Sequence, residues 1–519
     1  MGYLLLHSNQ PSAKRLLQRV EECTGVDSPI RASRDDVVIR WGNVDGDDSQ
    51  AAWTLNPRQA ILNTRNRSRM LRVLKQNGVY SPSVSSADEW RSDLARDVQL
   101  DSQKRVRIAR HYRVPIFDMQ PLSLFKAEEP DIWLDQGNGT RKKFAEVEFD
   151  EDVYATRAVR LALRAIHALG LDFGLVSVGI TARDRTIVLD VTPQPRLRGR
   201  MLELFEEAVD SFVIRDREEE RMFREEGRNS VPFQMGTDLE FMLRSPRGKL
   251  VLASRYLPRK GRVGCDDRSI NLDQKRFPLA ELRPYPATTP EGLLHNIKDA
   301  LVEADTLIKS QKVQWLAGSM PFSPYSIGGH LHFSDLGFSS RLVKAFDNYL
   351  GFPLMMIEDS HTATKRRPKY GFLGDVRFKT HGGFEYRTPA SFLVSPEVTE
   401  AVLALAYVIA IHHRQLTADL FTHPRTQRYF YKSDKAALRE DFELVWAQLE
   451  RTSTYRRYQD SLKIIPQMVR KGVSWNEAVD IRREWESVLE QVHHSLTKPT
   501  AVQDRNDRKR NGRSNHWAR

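Results

Sequence analysis

Four short segments of this chain each carry two ionisable residues, spaced two apart with an apolar or aromatic residue between them. They are Asp238 and Glu240 around Leu239, Glu281 and Arg283 around Leu282, His330 and His332 around Leu331, and Glu385 and Arg387 around Tyr386. Alternate side chains of a β-strand share a face. Read as strands, the four segments turn Leu and Tyr to one side and acids, imidazoles and guanidiniums to the other. A solvated strand face ordinarily carries Thr, Ser, Lys and Gln. Here acids stand with His and Arg, flanked by glycines that let a backbone or a ligand come close. Acids gathered on one face raise one another's pKa unless cations offset them. Divalent metals on carboxylate oxygens with one histidine, and a polyphosphate on arginines, would satisfy this pattern. Zinc on His330 and His332 is the competing reading. It needs a third nitrogen or sulfur ligand, for which His381 is the candidate, and the acids outnumber the nitrogens.

These segments fall within 231–422, the second of three blocks. The first, 1–215, reads as α/β, with strands at Val37–Ile39, Leu175–Ile180 and Thr186–Val191 and helices at Arg67–Gly78, Ala155–Leu169 and Met201–Val213. In the second block, Thr289-Pro-Glu and Ser395-Pro-Glu are helix starts with Pro at the first helical position. Its helices are expected over Thr289–Ile308, Arg341–Glu358 and Val398–Arg414. The third block, 424–496, is charged and helical in pattern. The blocks are divided by the charged stretch 215–230, with Gly227 and Asn229 as helix breakers. Residues 500–519 hold six Arg or Lys and two Asp and read as a disordered basic tail.

Composition narrows the function classes. The chain has 519 residues, 40% of them hydrophobic and two of them cysteines, with a net charge of +12. That suffices for two to four globular domains and excludes a disulfide scaffold. The apolar run Tyr3–Leu6 is short for a signal peptide, and Ala401–Ile411 is about half of a membrane span. The expectation is a cytoplasmic protein with neither membrane nor nucleic acid as partner. Cys265 reads as a buried spacer, and Trp446, Trp475 and Trp485 as packing anchors.

The ordered motifs Gly236-Thr-Asp-Leu-Glu-Phe241, Gly264-Cys-Asp266, Glu281-Leu-Arg-Pro284, Gly328-Gly-His-Leu-His332 and Gly383-Phe-Glu-Tyr-Arg-Thr388 resemble the amidoligases of the glutamine synthetase and glutamate–cysteine ligase superfamily. The resemblance is to the phage-type carboxylate–amine ligases called type 2 and covers about Phe233–Val408. Tyr370-Gly-Phe-Leu-Gly-Asp-Val-Arg377 resembles the segment that precedes their final Glu-x-Arg. The resemblance implies an α+β domain whose antiparallel sheet holds ATP and Mg²⁺, with a helical extension after it. The metals would be held by Asp238, Glu240, Asp266, Glu281, Glu385 and one motif histidine, assigned to His332. Arg283, Arg377 and Arg387, with His330, would hold nucleotide and phosphate. The implied reaction joins a small-molecule or peptide carboxylate to an amine through an acyl phosphate.

The first block resembles the ATP-grasp fold over roughly Val37–Leu204. The resemblance rests on Leu55-Asn-Pro-Arg-Gln-Ala-Ile61, Arg67–Leu74, Gly78-Val-Tyr-Ser-Pro82, Leu169–Val178 and Val188–Arg196. That family typically has Asp, Glu and Asn where Ser177, Asp190 and Thr192 stand. Between Pro82 and Arg105 there is no Gly-rich phosphate loop. The block is therefore expected to be a degenerate partner. The alternatives are an active ATP-grasp-type ligase in this block and a non-catalytic peptide-binding protein.

Overall fold

The computed structural model describes residues 2–27, 32–45, 50–81, 107–129, 132–133, 143–225, 233–270, 275–309, 312–379 and 382–490. His381, Gly227, Asn229 and the basic tail lie outside the described residues.

The chain opens with a small parallel sheet in the order β2-β1-β3-β4, from β1 (Tyr3–Leu6), β2 (Thr24–Val26), β3 (Val37–Arg40) and β4 (Trp53–Leu55). Helices α1 (Pro11–Leu17), α2 (Arg58–Thr64) and α3 (Arg67–Gln76) accompany it. An antiparallel sheet follows. Its path β11-β10-β5-β7-β9 uses β5 (Arg107–Phe117), β7 (Leu124–Ala127), β9 (Phe144–Val147), β10 (Phe173–Thr181) and β11 (Thr186–Thr192). The two-residue strands β6 (Gln120–Pro121) and β8 (Ile132–Trp133) pair with β5. Helix α4 (Val153–Ala168) lays Ala155, Ala158, Ala162 and Ala165 on this sheet, spaced three or four apart so that one small-residue face meets it. Helix α5 (Arg200–Glu225) runs on through the first part of the charged stretch taken as a divider.

The third sheet is antiparallel, in the order β14-β15-β12-β17-β19-β18. Its strands are β12 (Gln234–Arg244), β13 (Leu250–Val251), β14 (Val263–Cys265), β15 (Leu279–Leu282), β16 (Gln314–Leu316), β17 (Gly329–Ser334), β18 (Val376–Phe378) and β19 (Phe384–Tyr386), with β13 and β16 pairing to β12. Leu239, Leu282, Leu331 and Tyr386 are all fully buried on its apolar face. Against that face lie α6 (Pro290–Ile308), α7 (Ser340–Phe346), α8 (Phe352–Ile357) and α10 (Pro396–His412), while α9 (Ser360–Arg366) follows α8 and its Arg366 donates to the carbonyls of Ile327, Thr388 and Pro389. Thr289 and Ser395 cap α6 and α10 through their hydroxyls, with Pro next in line. No helix among the described residues is long and apolar enough to cross a membrane.

Two features depart from a simple reading of the pattern. The expected helix Arg341–Glu358 runs without a gap from Ser340 to Ile357 but contains a π-helical turn, Asp347–Gly351. Pro353 lacks an N–H and crowds the carbonyl four residues back, and a wider turn relieves that conflict. The segment after Pro424 also does not stand apart. It forms α11 (Pro424–Tyr431), α12 (Arg439–Glu450), α13 (Tyr455–Leu462), α14 (Ile464–Lys471) and α15 (Ile481–Glu484). One continuous hydrophobic core runs from Phe233 through Trp446 and Trp475 to Trp485.

The N-terminal sheets and the third sheet meet along a buried polar seam. Asp172, fully buried before β10, takes Lys344 of α7 at 2.9 Å and the backbone N–H of Asn56 at 2.7 Å. His167 of α4 meets Asp347 at 2.6 Å, and Asp347 also accepts the Tyr386 hydroxyl and the Gly374 N–H. Arg164, one turn earlier, donates to Asn77 O and Pro368 O and lies 3.6 Å over the Phe372 ring. Breaking one side of a buried pair strands the other charge. Lys344→Met should therefore lower stability by about 3–5 kcal/mol, and Lys344→Met with Asp172→Asn should recover part of that loss. Urea unfolding of the three proteins measures both.

Candidate active site

The pleat and register of the third sheet bring the charged pairs together. Asp238 lies opposite His330, Glu240 opposite Glu281, and Glu385 between His332 on β17 and Arg377 on β18. A ligand atom from each of Asp238, His330 and Glu385 falls within 4.8 Å of the others, and Glu240, Glu281 and His330 form a second such group. Two donor sets thus overlap on one imidazole. The sequence assigned the metal to His332 and the nucleotide to His330. His330 stands in both donor sets, while His332 lies to one side with Nε2 3.0 Å from Asp238 Oδ2.

Each acid except Asp238, whose neighbour is His332 at 3.0 Å, has an arginine or lysine beside it. Arg283 pairs with Glu281. Arg377, Lys379 and Arg387 surround Glu385 at 3.7, 2.8 and 3.5 Å. Arg268 bonds Asp266 and Glu240, each at 2.7 Å, and reaches the carbonyl of Ser326. Asp266 therefore touches the site through Arg268 and stands in neither donor set. Tyr370 completes the arrangement. Its hydroxyl lies 2.7 Å from His330 Nε2 and accepts from Arg387 at 3.2 Å, and its ring carries Arg268, Arg366 and Arg387 within about 5–6 Å.

Burial and mutual repulsion dominate the electrostatics. Burial pushes the Glu281 carboxyl up to about 9, helped by the charges of Asp238 and Glu240. Burial likewise raises Glu240 to about 7, against the pull of Arg268. For Asp238, burial acts upward, but the His332 hydrogen bond and charge outweigh it and hold the carboxyl low. Burial, with Arg387 and His332 nearby, keeps His330 neutral, the form with a lone pair to give.

A divalent cation fits these residues. Glu240 is fully buried, and its Oε1 has no hydrogen-bond partner among the described residues. The donors are carboxylates with a single imidazole, a hard set that suits Mg²⁺ or Mn²⁺. A His- or Cys-rich zinc set is not assembled among the described residues. Cys265 is buried and its thiol is pushed up to about 11, chiefly by burial, so it is a spacer. Arg268 and Lys379 had no role in the sequence reading, and Tyr370 entered it only as the first residue of the segment Tyr370–Arg377. Asp266 with Arg268, and Arg377 with Lys379, repeat the two-apart spacing and could have been found by it. Tyr370 stands in a loop, where no periodicity marks it.

Residues 235–487 match the family model described as Phage phiEco32-like COOH.NH2 ligase-type 2. No curated protein matches the chain. Among solved structures, the chain is similar to the ATP-grasp ligase PsnB complexed with minimal precursor (11% identity, 41% of this chain and 99% of that one, TM-score 0.30). It is also similar to the macrocyclase MdnC bound with precursor peptide MdnA from Microcystis aeruginosa MRC (11% identity, 40% and 98%, TM-score 0.27). A third is the macrocyclase MdnB from the same organism (14% identity, 41% and 99%, TM-score 0.27).

The raised acids set a pH dependence. Glu281 and Glu240 have an ordinary value of 4.5 and are held at about 9 and about 7 in the fold. The folded state therefore binds protons that the unfolded state has released. Their contribution to stability is complete below about pH 4.5 and is lost as pH rises through about 7 and then about 9. In EDTA, the melting temperature should fall from pH 5 to pH 9, and Glu281→Gln should make that fall shallower. A divalent cation should restore more stability the higher the pH. Melting curves across this range, with EDTA and with Mg²⁺, check all three.

Proposed function

From the match of residues 235–487 to the family model described as Phage phiEco32-like COOH.NH2 ligase-type 2, we propose that the third sheet carries an ATP- and Mg²⁺-dependent carboxylate–amine ligation. The observation that carries this reading is the pair of overlapping donor sets on His330, framed by arginines on one sheet face. A free carboxylate is a poor electrophile for an amine. Transfer of the γ-phosphoryl group of ATP to a carboxylate oxygen gives an acyl phosphate and ADP. The amine then attacks the carbonyl, phosphate leaves, and the amine proton passes to a nearby base.

In this reading Asp238, Glu385 and His330 hold one cation, and Glu240 and Glu281 hold the other. Bound there, the cations would offset charge on the transferring phosphoryl group. Arg283, Arg377 and Arg387 take phosphate oxygens. Arg377 is half exposed, so it can turn from Glu385 to a ligand at small cost. Arg268 holds Glu240 in line, and the Tyr370 hydroxyl on Nε2 fixes the His330 ring, leaving Nδ1 toward Glu385 at 3.2 Å. The substrates are a small-molecule or peptide carboxylate and an amine.

The N-terminal part is, in the same reading, an ATP-grasp-like partner without catalysis. Ser177 pairs in register with Asp190. Asp190 is exposed, accepts the Thr192 hydroxyl and faces Arg67 at 3.9 Å. No metal-competent group of acids and histidines forms there among the described residues.

Glu→Gln keeps size and removes charge. Glu240→Gln and Glu385→Gln should each lower ADP release by about a hundredfold or more, roughly 2.7 kcal/mol in the barrier, and weaken Mg²⁺ binding. Metal-free melting temperature should hold or rise in Glu240→Gln, where repulsion from Asp266 and Glu281 is relieved. Lower metal-free stability with normal ADP release would show both to be structural acids instead. Asp190→Ala should leave turnover within about threefold, and a thousandfold loss, about 4 kcal/mol, would move the active centre to the N-terminal sheets.

A further inference from the structure

Between α2, α3 and α11 lies a groove of about 520 Å³ that the ligase chemistry does not use. Arg69 and Arg72 of α3 line one wall, and His423 and Arg425, at and just inside the start of α11, line the other. The sequence around both walls is one-sided. Residues 49–87 contain five Arg, one Lys and no acid, and residues 420–433 contain two Arg, one Lys, one His and no acid. The neighbours Arg58 and Arg67 have carboxylate partners in Asp45 and Asp190. Arg69, Arg72 and Arg425 have none among the described residues. Arg69 meets only the Asn63 side-chain oxygen at 3.4 Å, and Arg425 only the Tyr429 hydroxyl at 2.9 Å.

We propose that this groove is a docking site for an acidic peptide segment. Three guanidiniums around one cleft, with no acid partner among the described residues, call for carboxylates from another segment. Length decides between a peptide and a compact anion. The α3 wall runs from Asn66 to Gln76, about 15 Å at ~1.5 Å per residue. That matches about four or five residues of extended chain at ~3.3 Å each and exceeds a phosphate or pyrophosphate. Arg69 and Arg72 stand three apart on the helix, so they are neighbours along its surface, suited to successive charges on a strand. The groove also adjoins the active-site loop. Gln76 donates to Pro424 O, Asn77 donates to Gln427, and the Tyr431 hydroxyl donates to Asn77 and accepts the N–H of Leu373, three residues after Tyr370. The groove is thus linked through Asn77 and Tyr431 to the loop that follows Tyr370. This inference stands or falls separately from the ligase assignment.

The test uses the full chain and a fluorescein-labelled hexaglutamate peptide, read by anisotropy at 50 mM salt. Hexaglutamine is the uncharged control, pyrophosphate the competitor, and the exposed Arg451→Glu the control variant. Saturable binding of hexaglutamate is expected, with none of hexaglutamine. Affinity should fall about tenfold or more in Arg69→Glu with Arg72→Glu and in Arg425→Glu, with melting temperatures unchanged, and should be retained in Arg451→Glu. Absence of saturable binding, equal affinity in all the variants, or pyrophosphate displacing the peptide at comparable or lower concentration would overturn the proposal, the last by assigning the groove to a compact phosphate ligand.

Discussion

Repulsion among buried acids is the constraint that the third sheet is built around. Glu240, Glu281 and Glu385 are nearly or fully buried, Glu240 paired with Glu281 across the sheet and Glu385 with a ligand atom within 4.8 Å of one from Asp238, and both groups share His330. Carboxylates so placed cannot all ionise without cations. Arg268, Arg283, Lys379 and Arg387 supply positive charge from the chain itself. What remains uncompensated, the raised Glu240 and Glu281 and the unpartnered Glu240 Oε1, is what a divalent cation would complete. Fold and chemistry thus draw on one electrostatic balance. A change that stabilises the metal-free protein at this face should cost function.

Helix α4 ties the N-terminal half to that balance from behind. His167 fixes Asp347, which fixes Tyr386 between Glu385 and Arg387. Arg164 holds Pro368 and covers Phe372, on either side of Tyr370. The π-helical turn places Asp347 where all three of its partners converge. On this view the N-terminal half contributes rigidity to the site rather than ligands, in keeping with the exposed, arginine-paired Asp190.

How much of this could be read from the chain follows from the physics of each element. The strand pairs were legible because the pleat alone puts residues two apart on one face, and Leu239, Leu282, Leu331 and Tyr386 fall into the core as that rule requires. The capped helices at Thr289 and Ser395 were legible for similarly local reasons. Which histidine joins the donor sets was not legible, since both share the face and only the register opposite Asp238 separates them. Tyr370 comes from a loop, and the His167–Asp347 contact joins residues 180 apart in sequence. The π turn depends on Pro353 being resolved inside a long helix rather than at its end. The third block read as separate because its surface is charged, although its buried aromatics close the same core.

The central claim is that one sheet face, and not the N-terminal half, holds the metals and the nucleotide phosphates. Anomalous diffraction from crystals of the full chain grown with Mn²⁺ and a non-hydrolysable ATP analogue tests it directly. The account predicts manganese peaks among Asp238, His330 and Glu385 and beside Glu240 and Glu281, with the phosphates against Arg377 and Arg387. Manganese and nucleotide on the face of Ser177, Asp190 and Thr192, with none on the third sheet, would contradict it.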